Sequence, residues 1–413
     1  MTTAFEPDPI EARGVALETL DISRAERFAA HTHWPYFARL RREAPVHFCP
    51  SSVHGAYWSI TRYDDIVEVE KNHRQFSSDG NVIIGDVPAD FDATRAFATS
   101  DPPVHTRERR AVAPALSPAR LGHLETEIRA DIRAVLQALP LNEPFDWVER
   151  VAIELTTRMV AALFDFPRAE RHLLPYWSAV LVTSPEPGAL VTTWEERDAV
   201  LQEYARRIAQ LWQQRTGTTG DDIISALARS PDTETMIHDM PHLIGTVSLL
   251  AGANEASRGA LSGSIVAFQQ SPQEWQKLRA NPELVGNAAA EILRWQTPIT
   301  HMRRTATEDV EFGGKRIQKG DRVVLWYCSG NRDERLFEHG DDFRIERANA
   351  TRHLAYGFGI HRCLGRHVAQ LQLRILLQEL LSHFERVELV AEPKRIPSNF
   401  SAGFQQVLVQ ATR

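Results

Sequence analysis

Short alternating runs come first along the chain. Residues 45–49 and 56–62 (Ala-Tyr-Trp-Ser-Ile-Thr-Arg in the second) predict two strands of a small sheet. Asp64-Asp65-Ile66 then opens a helix, and residues 76–100, with scattered Gly and Pro, read as loop. From about 104 to 270 apolar residues recur three and four apart, the helical period. Within that stretch a long helix is predicted over about 240–269, with Asp239 as its cap and Pro241 in its first turn. The strand pattern returns over 309–327: Val310-Glu311-Phe312, a Gly313-Gly314 turn, then Arg322 to Tyr327. A last helix is predicted over about 364–384, with Leu364, Val368, Leu371 and Ile375 on one stripe, and the final thirty residues read as strands and turns. The pattern predicts a mainly α fold with a minor β region.

The composition is globular, 43% hydrophobic and 24% charged over 413 residues, enough to bury a sizeable core. No Gly/Ser run, charge block or repeat marks a linker, so 1–413 reads as a single domain. A net charge of −7 argues against general nucleic-acid binding. The three cysteines, Cys49, Cys328 and Cys363, are too few and too scattered for a disulfide framework or a zinc cluster, which points to a reducing cytoplasm. Met1 to Gly14 carries Glu6, Asp8 and Glu11 and reads as neither signal peptide nor membrane anchor. The apolar segment Ile244 to Ala251 is too short to span a bilayer, so a soluble protein is expected.

One decapeptide changes the picture: Tyr356-Gly357-Phe358-Gly359-Ile360-His361-Arg362-Cys363-Leu364-Gly365. A lone cysteine is commonly a small buried hydrophobe. Here it follows a glycine-punctuated turn and precedes a helix, where the helix N-terminus, Arg362 and Arg366 favour a thiolate. Such a sulfur suits the axial position of a heme iron. The decapeptide resembles the heme-binding loop of the cytochrome P-450 family, Phe-Gly-x-Gly-x-His-x-Cys-x-Gly, with Tyr356 in place of Phe.

The resemblance continues along the chain. Glu291 and Arg294 meet at i, i+3, a spacing equally suited to a surface helix pair. In the family that pair and a downstream arginine, here Arg347, form a structural triad behind the heme. His105 and Arg109, four apart on a helix beginning Asp101-Pro102-Pro103, match family contacts to the heme propionates, as do Arg304 and His361. The resemblance thus implies the triangular helical P-450 fold, heme b with Cys363 as iron ligand, and propionates held by His105, Arg109, Arg304 and His361.

On the opposite side of the heme the family places Gly-x-x-Asp/Glu-Thr. Here Gly252-Ala253-Asn254-Glu255-Ala256-Ser257 keeps the glycine and the acid but replaces the threonine with Ala256. Small residues at Gly252 and Ala256 also suit a plain helix crossing. Ser257 is turned about 100° away around the helix. In one macrolide-hydroxylating member a Glu-Ala-Ser run is accompanied by a substrate hydroxyl that orders water. By that resemblance Glu255, ordered water and a polar substrate group would deliver the protons for O2 chemistry.

The segments His301 to Ala306, Ser329 to Asp333 and Gln370 to Leu376 look similar to the bacterial alkane and fatty-acid terminal hydroxylases. Pocket walls are implied at 78–100, 178–195, 247–256, 298–302 and 399–404. Val82, Ile83, Ile84, Ile299 and Phe404 would make them apolar, and Thr300, His301 and Asn399 would add polar contacts. The chain has no flavin or iron–sulfur motif, so electrons are expected from a separate ferredoxin and ferredoxin reductase, docking near Arg107, Arg110, Arg362 and Arg366. The implied activity is O2-dependent monooxygenation of an apolar or partly hydroxylated small molecule. A peroxide-dependent relative is an alternative, although such relatives usually carry Arg and Pro where this chain has Glu255 and Ala256. A heme-binding protein without turnover is the other.

Overall fold

A computed structural model describes residues 9–85, 96–181, 185, 189–252 and 254–413. The helices Pro118–Gln137, Asn254–Gln270, Val285–Gln296 and Arg366–His383 pack together at the centre. Each contributes an apolar stripe at helical spacing; in the first it is Leu121, Leu124, Ile128, Ile132 and Val135, all buried. The stripe predicted on the last helix is present, with Val368, Leu371 and Ile375 buried and Leu364 packed against the same core just before the helix begins. Glu379 on that helix ties it to its neighbour, at 3.1 Å from both Arg129 and Arg133.

The long helix expected over 240–269 is found as Met240–Gly252 and Asn254–Gln270, with residue 253 outside the described residues. Asp239 caps it, its Oδ1 accepting from the His242 N–H at 3.3 Å. Among the described residues no helix is long and apolar enough to cross a membrane.

The predicted strands near the start, Val46–Cys49 and Tyr57–Ile60, form an antiparallel pair in a five-stranded sheet. One expectation is corrected there. Gly313 and Gly314 do form the turn, with φ of +56° and +71°, the positive values that a two-residue hairpin requires. The returning strand is Lys315–Ile317, not Arg322 to Tyr327. Arg322–Leu325 lies inside the larger sheet instead, parallel to Tyr57–Ile60 and antiparallel to Met302–Ala306. A tight turn can pair only the residues beside it, and Val323, Val324 and Leu325 are buried on both faces, which an isolated hairpin cannot provide. The loop reading of 76–100 holds in part. Phe76–Ser77 is a short edge strand, Phe97–Thr99 a single 3₁₀ turn, and 86–95 lie outside the described residues.

The Glu291–Arg294 spacing produces a buried cluster rather than a surface pair. Both side chains are fully buried and meet twice at 2.7 Å. Arg347 adds its Nε at 3.0 Å from Glu291 Oε1. The remaining guanidinium N–H groups of Arg294 reach the carbonyls of Asn331, Gly340 and Asp342, and those of Arg347 reach Glu338, His339 and Asp342. One carboxylate thus pins the whole 331–347 meander to the helix Val285–Gln296. Removing one partner of such a buried set leaves charge without compensation. Glu291→Ala is expected to lose about 3–5 kcal/mol of stability in urea unfolding. A midpoint unchanged from the parent would show that the cluster is dispensable.

Candidate active site

Cys363 sits on a turn that depends on its glycines. Gly357 and Gly359 have φ of +64° and +65°, and a Cβ on Gly359 would collide with the Glu70 carbonyl oxygen. The Cys363 N–H closes the turn on the Tyr356 carbonyl at 2.7 Å. The helix Arg366–His383 begins directly afterwards. Arg362, Arg366 and the helix start favour the thiolate as expected, and burial adds an opposing effect. Burial pushes the Cys363 thiol up, and the Gly365 backbone with Arg109, Arg366 and Arg362 offsets this only in part. The thiolate is therefore a state that a coordinated metal ion creates.

The four predicted propionate contacts come together, though not as equals. His105 is buried on the helix Val104–Val112, and its ring lies 4.3 Å from that of His361. Nε2 of His361 is buried without a hydrogen bond, and the His105 ring nitrogens are buried with only the Ile360 backbone as a near, poorly aligned partner. Burial and then the Arg109 charge hold His105 down at about 4. Burial, followed by Arg304, His105 and Arg109, holds His361 at about 2. Both imidazoles are therefore neutral, each with one N–H to give. Arg109 donates to the Arg362 carbonyl.

Arg304 is buried and already paired, its Nη2 lying 2.7 Å from Glu70 Oε2. The Tyr327 hydroxyl donates to the other Glu70 oxygen. Glu70 and Tyr327 belong to no motif and were missed in the sequence. A signal was nevertheless present: Glu70 continues the buried stripe Tyr63, Ile66, Val69 of the helix Tyr63–Lys71, where an acid is out of place unless paired.

The helix expected on the other side of the cofactor is open at Gly252. No atom lies within 4 Å of where a Cβ on Gly252 would sit, and Ala256, one turn on, is half-buried. Glu255 Oε2 is 3.1 Å from Arg258 Nη1, and its Oε1 lies against the backbone of Gly403. Asn254 is buried with its Nδ2 unpaired.

Ile84 and Phe404 are buried as the apolar-wall reading expects, with Val82, Ile83 and Ile299 half-buried. The polar residues of that reading are engaged within the protein. Thr300 donates to the Asn399 carbonyl, and His301 Nδ1 lies 3.0 Å from the same oxygen. Asn399 Nδ2 reaches the Ser23 carbonyl at 2.5 Å. The wall stretches 86–95, 182–184 and 186–188 lie outside the described residues.

These residues fit heme b. Cys363 offers sulfur. Unpartnered buried imidazole nitrogens and two guanidiniums gather where two carboxylates need donors, and Gly252 and Ala256 leave a flat approach. Of the arginines expected at a docking face, Arg107, Arg110 and Arg362 are exposed and Arg366 is half-buried, and Arg110 is ion-paired to Asp232 at 2.6 Å.

The comparisons agree with this geometry. A family model described as "Cytochrome P450" matches residues 264–411. Linalool 8-monooxygenase of Pseudomonas putida is 36% identical, over 95% of this chain and 99% of the relative. The solved cytochrome P450-153 of Novosphingobium aromaticivorans is 38% identical with a TM-score of 0.85, covering 95% of this chain and 99% of that one. A Mycobacterium marinum cytochrome P450 solved in complex with pseudoionone is 29% identical with a TM-score of 0.83, covering 96% and 99%.

The wall histidine His301 yields a pH prediction. Burial holds it at about 3 against an ordinary 6.5; the Asn399 carbonyl pulls upward and His54 downward. Its two nitrogens serve as a neutral ring, one accepting from the Ile84 N–H at 3.3 Å and the other facing the Asn399 oxygen. The unfolded chain takes up this proton near 6.5 and the fold refuses it until about 3. The contribution of His301 is therefore whole above pH 6.5 and declines as the pH falls toward 3. In His301→Gln the slope of unfolding free energy against pH in this window is expected to lessen by up to about 1.4 kcal/mol per pH unit. An unaltered slope would mean that His301 titrates normally in the fold.

Proposed function

The chain belongs to the cytochrome P450 family of heme b monooxygenases, and on that premise we propose that it hydroxylates a small apolar or partly hydroxylated molecule of terpenoid or alkyl-chain type, using O2 and electrons from a separate ferredoxin system. The observation that carries the reading is the glycine-shaped Cys363 turn with the His361 ring beside His105 and close to the charges of Arg304 and Arg109. Heme b, when bound, supplies the oxygen activation and electron acceptance that side chains cannot.

The roles of the chain's own residues follow from their chemistry. Cys363 Sγ is the iron ligand. His105 and His361 each give an N–H to a propionate, and Arg109 adds positive charge. Arg304 holds its place through Glu70 and presents the rest of its guanidinium. Glu255 holds and passes the proton, and its half-buried carboxylate remains in touch with solvent for reloading. Arg258 keeps that carboxylate turned along the helix. Ala256 offers no hydroxyl, so the water that connects Glu255 to the oxygen site is ordered by a polar group on the substrate. Linalool, named in the relative's activity, has this character, an unsaturated acyclic terpene chain with one hydroxyl. Arg107 and Arg362 are the exposed cations on the cysteine side that suit an acidic ferredoxin, and the cytoplasm supplies such a partner in reduced form.

Two experiments test the reading. Cys363→Ser is expected to abolish the absorption band of the reduced carbon monoxide complex, and a band identical to the parent's would remove Cys363 from the iron. Product formed per reduced cofactor consumed is then compared for Ala256→Thr and the parent, on acyclic terpene alcohols and on plain alkanes. The added hydroxyl is expected to raise coupling several-fold on alkanes and to leave it nearly unchanged on the alcohols. Equal coupling of the parent on both substrate classes would sink the substrate-hydroxyl idea. Peroxide-driven turnover that outpaces ferredoxin-driven turnover would overturn the redox assignment.

A further inference from the structure

A buried carboxylate stands among the groups gathered for the propionates. Glu70 extends the buried stripe of the helix Tyr63–Lys71, and its side chain is 1% exposed, against 4% for its partner Arg304. Glu70 Oε2 takes Arg304 Nη2 at 2.7 Å, and Oε1 takes the Tyr327 hydroxyl. Arg304 Nη1 reaches the Arg303 carbonyl at 2.8 Å, which leaves further N–H groups of the fork available to a guest. Burial opposes the charge of Arg304, and Glu70, followed by Tyr327 and Asp101, outweighs it.

The carboxylate is held against the cysteine turn. The Glu70 carbonyl oxygen sits where a Cβ on Gly359 would be, and the Tyr327 hydroxyl lies 3.2 Å from where a Cβ on Gly357 would sit. Fold stability alone does not call for an acid at this point, since an apolar pair of like volume commonly replaces a buried ion pair without loss. What an apolar pair does not supply is a charge of chosen sign. Paired with Glu70, the guanidinium keeps N–H groups to donate while its positive charge is cancelled nearby. Arg304 then binds a propionate without neutralising it.

We infer that Glu70 is a positioning residue that sets the reduction potential of the heme iron, by fixing the Arg304 guanidinium and offsetting its charge. The inference rests on the reading of Arg304 as a propionate donor. Negative charge near the iron favours the ferric over the ferrous state, so Glu70 lowers the potential. Tyr327 keeps the carboxylate turned toward Arg304.

Spectroelectrochemical titration of the substrate-free, heme-loaded protein reads the one-electron step from ferric to ferrous. In Glu70→Gln the ferrous-to-ferric ratio at a fixed applied potential is expected to rise about tenfold, equivalent to about 59 mV. Tyr327→Phe removes a donor and keeps the charge, so it should melt below the parent and hold a potential close to the parent's. Glu70→Gln combined with Arg304→Gln takes out both members of the pair and should also stay close to the parent's potential. That double variant decides the matter if Glu70→Gln alone loses its heme. An unmoved or lowered potential in Glu70→Gln, whatever its melting temperature, would make Glu70 a structural prop and overturn the inference. A shift in Tyr327→Phe as large as that in Glu70→Gln would trace the effect to loosened packing and overturn it too. So would a double variant whose ferrous-to-ferric ratio falls about tenfold below the parent's, since Glu70 would then have offset nothing. A parent lacking the absorption band of the reduced carbon monoxide complex would overturn the heme-thiolate reading and this inference with it; with that band present, the potentials bear on Glu70 alone.

Discussion

The Glu291 carboxylate is the constraint on which the arrangement around Cys363 depends. It lies in the core and meets two guanidiniums, Arg294 and Arg347, that would be prohibitive there without it. Those guanidiniums in turn satisfy backbone carbonyls from 331 to 342, a stretch with little regular structure of its own. The same stretch is clamped from a second side: Asn331 Nδ2 donates to Thr297 Oγ1 at 2.8 Å, and its Oδ1 accepts from the Leu354 N–H at 2.5 Å. Leu354 precedes the Tyr356 carbonyl that closes the cysteine turn by two residues. A chain of buried polar contacts therefore runs from the central helices to the sulfur, where hydrophobic packing alone would leave the meander free to slide.

That rigidity has a second effect. Groups that a flexible site would satisfy locally are held apart from partners. His361 Nε2 and Asn254 Nδ2 are buried and unpaired, the His105 nitrogens have only the poorly aligned Ile360 backbone, and each unsatisfied group costs about 1–3 kcal/mol. The Cys363 thiol is pushed up by burial. Around His105 and His361 these unmet demands are those of a ligand that brings carboxylates. Heme binding relieves them together, so cofactor affinity and fold stability are linked in this chain.

Much of this was legible in the sequence where a motif encodes backbone geometry. Gly357 and Gly359 announce their positive φ, Glu291 and Arg294 announce their meeting by spacing, and Asp239 announces its cap. The illegible parts depend on tertiary contact. Glu70 pairs with Arg304 across 234 positions, so no local spacing signals it. The second arm of the Gly313–Gly314 hairpin was misread because Arg322 to Leu325 has strong strand propensity, yet its partners are 57–60 and 302–306. Thr300, His301 and Asn399 look like pocket polarity in sequence, but tertiary contact engages them internally, Thr300 and His301 at the Asn399 carbonyl and the Asn399 amide at the Ser23 carbonyl. The arginines that favour the Cys363 thiolate are visible in sequence and act as expected, while the burial that outweighs them is not visible there.

The departure at Ala256 gains its meaning from what surrounds it. Glu255 is retained, with one oxygen toward Arg258 and the other against Gly403, so the acid is held in place. Among the described residues the adjacent hydroxyl, Ser257, lies about 100° around the helix from position 256 and cannot substitute for an alcohol there. The ion pair with Arg258 is by itself a structural reason for an acid at this point. If Glu255 carries the proton, as proposed, the missing hydroxyl at position 256 would transfer one task to whatever occupies the chamber. A substrate that brings its own hydroxyl completes the relay, and one that lacks it leaves the water disordered. In such an arrangement selectivity is exerted at proton delivery as well as at binding.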